Sequence, residues 1–486
     1  MSAVAEELRM RRPAGARIAW LRERGMGASI LVAALSSAFG VVLLATTTFL
    51  GAVLSSDPYL AGSGTLEVVI LILAGLLLGV AVYVAAIVTA NTFATVVAGR
   101  TRRIALLRLI GASARSQRAE IARQGLGVGA IGAFAGLMAG TVLSLAGAAL
   151  AVRLLGLPGD VDDGIIQPAL LAPAVAVTLT TWAAAWAGSR RVLAVTPLQA
   201  LGGAVEASHE AVAQRTGRNR TALALLLAGA ALLVLGILTG LVTPLGVVVA
   251  FFGGILSFTG LALGATLVMP PVLRLVGRAF GRSATARLAA ENALRYPERS
   301  SRMAIGVVMG VTLVVMFAVA LESVKTMIRT SGGGTLEPEF EALIDTFSAV
   351  MMALVGVSAV IAAVGLVNLL TIGVVQRRRE LGLLRALGVS SGQVRGMVLR
   401  EAAHITIAAL ATGLVLGVLY GWAGAQSLLG SIAMPPAWSS PTFVWPSVPL
   451  VPVLVVVAAT AVLTLVAAAV PTRLATRVTP VQALAE

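Results

Sequence analysis

The side chains that usually carry chemistry are scarce in this chain, and their spacing excludes most reactions. The single lysine, Lys325, follows Val324. A phosphate-binding P-loop needs lysine after a glycine-rich turn, followed by Ser or Thr, so that backbone amides and the ammonium meet the phosphates. ATP hydrolysis by that route is therefore not in this chain. There is no cysteine, and the two histidines, His209 and His404, make no metal-binding constellation. The glycine run SGGG at 331–334 reads as a flexible loop. No catalytic residue and no metal ligand is assigned.

What does recur at fixed spacing is polar and basic. The stretch QRRRELGLLRALGVSSGQVR at 376–395 has a counterpart, RTRRIALLRLIGASARSQR, at 100–118. A shift of 277 places Leu106-Leu107-Arg108 on Leu383-Leu384-Arg385, Gly111 on Gly388, Ser113 on Ser390 and Arg118 on Arg395. The same shift places Arg100 on Arg377, Arg102 on Arg379 and Asn91 on Asn368. Further on, VTPLQAL at 195–201 returns as VTPVQAL at 478–484. The chemistry this suits is docking. A basic helical stalk ends at a glycine that permits a turn, and a serine can cap the helix after it. In the second copy Leu381, Leu383, Leu384 and Leu387 give the stalk one side to bury, while Arg377, Arg378 and Glu380 stay wet. A short helix over 391–400, and one over 114–123, would then lie crosswise at the membrane surface, suited to a groove on another protein.

The elements that must position these stretches are membrane spans. Of the 486 residues, 58% are hydrophobic and 12% charged, and the mean hydropathy is +0.96. Apolar runs long enough to cross a bilayer as helices recur throughout. Ten are placed at roughly 28–54, 65–91, 126–151, 167–188, 221–240, 244–269, 303–321, 346–374, 402–424 and 448–470. The net charge of +15 is topological. With these spans, 33 of the 36 Lys and Arg residues fall on one side, and only Arg153, Lys325 and Arg329 on the other. Basic loops are retained in the cytoplasm, so both termini are expected there. Nucleic-acid binding is not expected, because no aromatic residues interleave with the arginines.

The plan is four spans, two spacers and four more, both blocks in the same orientation. The expected divisions are a cytoplasmic N-terminus at 1–27, a first block at 28–203, a linker with two spacer spans at 204–285 and a second block at 286–486. Basic amphipathic stretches precede the blocks at 17–27 and 286–301, where Trp20, Leu21, Leu288 and Leu294 can face acyl chains. The 346–374 run is about 43 Å long as a helix, enough to continue into a stalk. Patterns such as Gly75 to Gly79 and Gly136 to Gly140 allow close helix packing. No ionisable residue is placed at mid-bilayer, so an ion-coupled mechanism lacks its coupling groups. Asn91 and Asn368 are expected to hydrogen-bond between helices.

On these residues the chain resembles the FtsX-like ABC transporter permeases, the group that includes MacB, lipoprotein-releasing permeases and Bce-type permeases. The resemblance lies in QRRRELGLLRALGVSSGQV, in the preceding asparagine and in the closing T-P-x-Q-A-L segments, and it covers both blocks. Arg103 stands where the second block has Glu380. The ten-span layout is most similar to Bce-type permeases, but only about 24 residues, 322–345, lie where those carry a large extracellular domain.

The resemblance implies an all-α polytopic fold of two parallel four-helix blocks. It also implies that the loops after spans two and eight are coupling helices on two ATPase copies, with ATP and Mg bound there and none here. By motif the contacts are Gly111, Ser113, Gln117 and Arg118, and Gly388, Ser390, Gln393 and Arg395. The stalk residues are Arg100, Leu107, Arg108, Glu380, Leu384 and Arg385. The expected function is export of a hydrophobic or amphipathic compound (an antimicrobial peptide, a drug or a lipid) across a bacterial cell membrane. The alternative is a signalling complex that passes ATPase motion to an extracellular hydrolase or a membrane sensor kinase without transport.

Overall fold

A computed structural model describes residues 26–55, scattered positions between 72 and 90, 101–155, 167–190, 216–279, 284–295, 297–331, 383, 385–433 and 440–477. Regular structure among the described residues is helical throughout. In chain order the helices are α1 (Met26–Ser55), α2 (Thr101–Leu109), α3 (Ala114–Leu155), a 3-10 turn at Pro168–Leu170 and α4 (Leu171–Gly188). There follow α5 (Thr216–Gly240), α6 (Gly246–Leu263), α7 (Ala265–Ala279) and α8 (Ala284–Arg295). Last come α9 (Pro297–Ser331), α10 (Ser391–Leu429) and α11 (Leu450–Arg477). Seven of these helices are long and apolar enough to cross a membrane: α1, α3, α4, α5, α6, α9 and α10. The apolar part of α11, Leu450–Val466, is shorter. The expected spans at 65–91 and 346–374 lie outside the described residues, apart from scattered positions in the first. Asn91, Asn368, Arg100, Glu380 and Leu384 also lie outside them.

Two expected boundaries are corrected. The crosswise helices at 114–123 and 391–400 are not separate elements. Each is the first part of one long helix, 42 residues in α3 and 39 in α10. Nothing stops them, since neither stretch contains a proline and helix formers run through 119–124 and 397–403. The sixth span ends earlier than the hydropathy suggested. At Gly264 the chain leaves α6, and α7 begins at Ala265 and carries Pro270 and Pro271. The change of direction costs few hydrogen bonds, because Gly264 N still donates to Gly260 O and both Leu267 N and Val268 N donate to Gly264 O.

The chain forms two compact units that divide between Ala204 and Val205, apart from a short stretch at 71–76. In the first unit α1 packs on α3 and α3 on α4. In the second, α9 packs on α10, α5 pairs with α6, and both of that pair touch α10. The same seam is built in each unit. A Cβ placed on Gly140 would meet Ala38 O and Val41 Cβ of α1 at 2.9 Å each, and one on Gly136 would strike Ala34 O. In the second unit a Cβ on Gly413 would meet Val311 at 2.8 Å, and one on Gly417 would meet Val315 at 2.6 Å. Gly136 and Gly413, like Gly140 and Gly417, are 277 positions apart. Small residues therefore let two long helices approach closely in each unit. Ser37 Oγ donates to Ala133 O at 2.9 Å across the first seam, and Thr312 Oγ1 to Gly413 O at 3.3 Å across the second.

Candidate functional site

The repeated basic stretches fold into two elbows of the same local geometry. In unit 1, α2 ends when Gly111 takes φ +98°. Ala112 N donates back to Leu107 O at 2.9 Å and Gly111 N to Arg108 O at 3.1 Å. These bonds satisfy carbonyls that the end of a helix would leave open. In unit 2, Gly388 takes φ +95°, and its N donates to Arg385 O at 3.1 Å. A side chain is strained in that left-handed region, so glycine is the residue both turns require.

Two residues later each serine starts the next helix. Ser390 Oγ accepts from Gln393 N at 3.2 Å, and Gln393 Oε1 accepts from Ser390 N at 3.0 Å. This reciprocal capping box satisfies two otherwise orphaned donors. Ser113 Oγ accepts from Ser116 N at 3.1 Å. The 277-residue shift places Ser116 on Gln393. The first elbow therefore has the cap but a serine where the box needs Gln or Glu.

Apolar tips are left uncovered at both turns. Ile110 is 82% exposed and its counterpart Leu387 is 74% exposed. This corrects the expectation that Leu383 and Leu387 would be buried, since both face outward. It is Val389, past the glycine, that packs against Ala289, Val394, Met397 and Val398. The turn leaves Leu387 on the outer side of the bend. In unit 1 the inward residues of α2 are Ile104 and Ala105, packed with Met26, Ile121, Val128 and Ala185.

The family of the chain follows from two segments that contain these elbows. Residues 75–193 and 352–480 each match the model of the FtsX-like permease C-terminal domain. Together they make up about half of the chain. The chain belongs to the FtsX-like permease family. A stretch of 79 residues is 33% identical to the ABC transporter permease YtrF of Bacillus subtilis (strain 168), covering 16% of this chain and 17% of that protein. The matched stretch is thus under a fifth of that relative's length.

The FtsX-like elbows differ in how they are tied to the rest of their units. Arg118 does not project freely. It is half-buried, and its guanidinium lies 4.7 Å from the Trp186 ring centre, with Arg190 at 5.6 Å. Arg118 Nε donates to Ser189 Oγ at 3.3 Å and Nη2 to Trp186 O at 3.4 Å. A cation near the last carbonyls of α4 is favoured by the helix dipole, and the indole face adds to it. This brace fixes the start of α3 against the end of α4.

The second FtsX-like elbow is tied at the base of α10. Ala289 and Ala293 of α8 are fully buried, Ala289 against Val394, Met397 and Val398. The stretch at 286–301 thus sets Ala289 against α10, and its last residues belong to α9. Asn292 Nδ2 donates to Glu401 Oε2 at 3.1 Å. His404 Nε2 lies 2.7 Å from Leu273 O of α7, a distance and partner that make the ring nitrogen the donor. The first block has Gln124 and Gly127 at the positions of Glu401 and His404. Gln124 donates to Glu120, one turn back in its own helix.

Of the residues singled out by sequence, Gly111, Ser113, Gly388, Ser390 and Gln393 come together as turns and caps. Gln117 lies one position past the serine that matches Gln393 and donates its N–H to Ser113 O at 3.2 Å. Leu107 and Arg108 supply the carbonyls that close the first turn, and Arg385 the one that closes the second. Ser116, Trp186, Ser189 and Asn292 were missed. The S-x-x-Q spacing of Ser390 and Gln393 is a readable capping-box signal. The Trp186 and Asn292 contacts span 68 and 109 positions, and no local pattern announces them.

Proposed function

We propose that this chain is the transmembrane permease subunit of an ATP-binding cassette transporter, driven by separate ATPase subunits docked on its two elbows. The observation that carries this is the pair of capped glycine turns, each with an uncovered apolar tip and each continuous with a long helix. Ile110 and Leu387 seat in a groove on the ATPase, one copy per elbow. Because α3 and α10 begin at the elbows and run on unbroken for 42 and 39 residues, a push on either elbow moves a whole span without a hinge to absorb it.

The elbows and both termini are cytoplasmic in this reading, and the membrane is a bacterial plasma membrane. The divisions at 27, 203 and 285 mark the N-terminal segment, two FtsX-like blocks and the spacers between them. By sequence position Arg100 and Glu380 belong to the stretches expected to form the stalks, and Asn91 and Asn368 to the spans expected before them. The cargo is a hydrophobic or amphipathic molecule moved out of the bilayer, with ATP and Mg on the partner. The basis for export over ion-coupled transport is the lack of acidic or basic residues at mid-span among the sequence-assigned spans.

The test is Ile110→Arg with Leu387→Arg, made separately and together. Both side chains are exposed, so each variant is expected to insert and melt like the parent. Association with the ATPase should fall about tenfold or more per tip if each is a docking anchor. Undiminished co-purification of the double variant with the ATPase would refute the docking role.

A further inference from the structure

The end of unit 2 farthest from its elbow carries an aromatic group that the coupling role does not use. Residues 440–449 lead into α11, and their backbone is held from several sides. Gln426, 1% exposed, donates from Nε2 to Thr442 O at 2.9 Å and accepts at Oε1 from Val444 N at 2.7 Å. Trp422 Nε1 donates to Val444 O at 2.9 Å, Thr442 N to Gly430 O at 2.8 Å, and Ser447 N to Ser323 Oγ at 3.1 Å. Val444 turns inward onto Met327, Ala425 and Leu429. On either side of it Phe443 and Trp445 turn outward, 56% and 75% exposed. The Phe443 ring stands 5.0 Å from Trp445 and 6.0 Å from Trp422, centre to centre. A preformed loop that holds two large aromatic rings outward needs something to cover them.

Its neighbours say what that is. The outward stripe of α10, Val415 and Leu419, leads at helical spacing to Trp422. The outward stripe of α11 starts at Leu450 and Val451 and continues through Leu454, Val455, Val462 and Val466. Both stripes face lipid if these helices span a membrane, and both end at the loop. Arg400 and Trp422 lie on one unbroken helix, separated by about 33 Å at the α-helical rise. A bilayer hydrocarbon core is about 30 Å thick. With Arg400 at one surface, Trp422 and the loop stand at the other.

We infer that the 440–449 loop is a rigid interfacial anchor, with Phe443 and Trp445 inserted at the headgroup–acyl boundary of the leaflet farther from the elbows. Tryptophan, an apolar ring with one N–H, favours that layer, and the hydrocarbon ring of Phe443 packs beside it on the acyl side. The loop's hydrogen bonds are made within the protein, so insertion leaves none of these backbone groups unsatisfied. The occupant is phospholipid, because the aromatic surface continues the two lipid-facing stripes. The matching connection of the first block, GLPGDVDDGIIQ at 156–167, has three aspartates and no aromatic residue, so the anchor belongs to the second block alone. The inference rests on the membrane-spanning part of the proposed function and not on the ATPase, so the two fail in different experiments.

The test uses the full chain in phosphatidylcholine liposomes and compares it with Trp445→Phe, which keeps an apolar ring in the loop. The emission lost in the variant is that of Trp445. It should be blue-shifted and quenched about twofold or more better by lipid brominated near the headgroup than by lipid brominated near the chain end. Quenching by aqueous acrylamide without any response to brominated lipid would place Trp445 in water and overturn the anchor. Shielding from both quenchers would mean that protein covers it, a second copy or another partner, and would overturn it equally. Because the chain has no cysteine, Val448→Cys gives an independent check. A nitroxide there should collide more with oxygen than with a water-soluble nickel chelate, and the reverse order would refute insertion.

Discussion

Ser390 and Ser113 occupy the same place in the two repeats and do unequal work. Ser390 shares a capping box with Gln393, whereas Ser113 caps alone because Ser116 is too short to reach back. Loss of a serine cap costs about 1 kcal/mol. Ser390→Ala should therefore speed amide exchange in the first turn of α10 about fivefold. Ser113→Ala, which loses the same kind of bond, should act alike at the start of α3. The box itself is tested by Gln393→Ala, which removes the acceptor of the Ser390 N–H: exchange there should also speed up, and an unchanged rate would show that the box adds nothing to the serine cap. Arg118 is also decided at this scale. Its fork meets a hydroxyl, a carbonyl and an indole face together, which a lysine ammonium does not reproduce. Arg118→Lys is expected to loosen the α3–α4 contact by about 1 kcal/mol. A double-mutant cycle with Trp186→Leu, read by thermal melting, should show that the two losses are not additive.

Among the elements, the paired long helices depend on glycine for their closeness. Gly417→Ala puts a methyl 2.6 Å from Val315 Cβ, closer than side chains pack, and should cost about 1–3 kcal/mol. Gly306 and Gly424 have nothing within 4 Å of a Cβ. Alanine at either should be neutral or stabilising, since glycine inside a helix costs about 1 kcal/mol relative to alanine. Melting temperatures in detergent that fall for Gly417→Ala and hold for Gly306→Ala would support the seam. GxxxG spacing was visible in the sequence but common. Its meaning appears only when Gly136 and Gly413 are found pressing on equivalent places of α1 and α9. The merging of each segment after an elbow with the span that follows was not legible, because a change from basic to apolar residues marks a change of surroundings and not of backbone conformation.

For the whole molecule the proposed function requires that a motion at an elbow be delivered to the spans. Gly388→Pro cannot adopt φ +95°, because the ring holds φ near −65°. The turn must then open, although the spans remain long and apolar enough to insert. With the ATPase bound, hydrolysis is expected to persist while its coupling to transport falls at least about tenfold. Ser390→Arg should act in the same direction. Coupled turnover at the parental rate in both variants would refute transmission through the second elbow. The two blocks also differ where the sequence suggested a plain duplication. The first elbow is braced by Arg118 on Trp186, the second by Asn292 on Glu401 and His404 on Leu273. Replacing equivalent residues in the two blocks is therefore not expected to give equal effects.

The amino-acid sequence by itself determined the helical class, the apolar spans it could outline, the duplication and the two glycine-serine turns. Each depends on residues close together in the chain or on a composition that repeats at a fixed distance. Only the tertiary structure decided where Arg118, Glu401 and His404 point, which glycines form the seam and which apolar side chains stay uncovered. Those outcomes depend on which surfaces meet when distant helices pack, and a periodic pattern of apolar residues fits many such arrangements equally well.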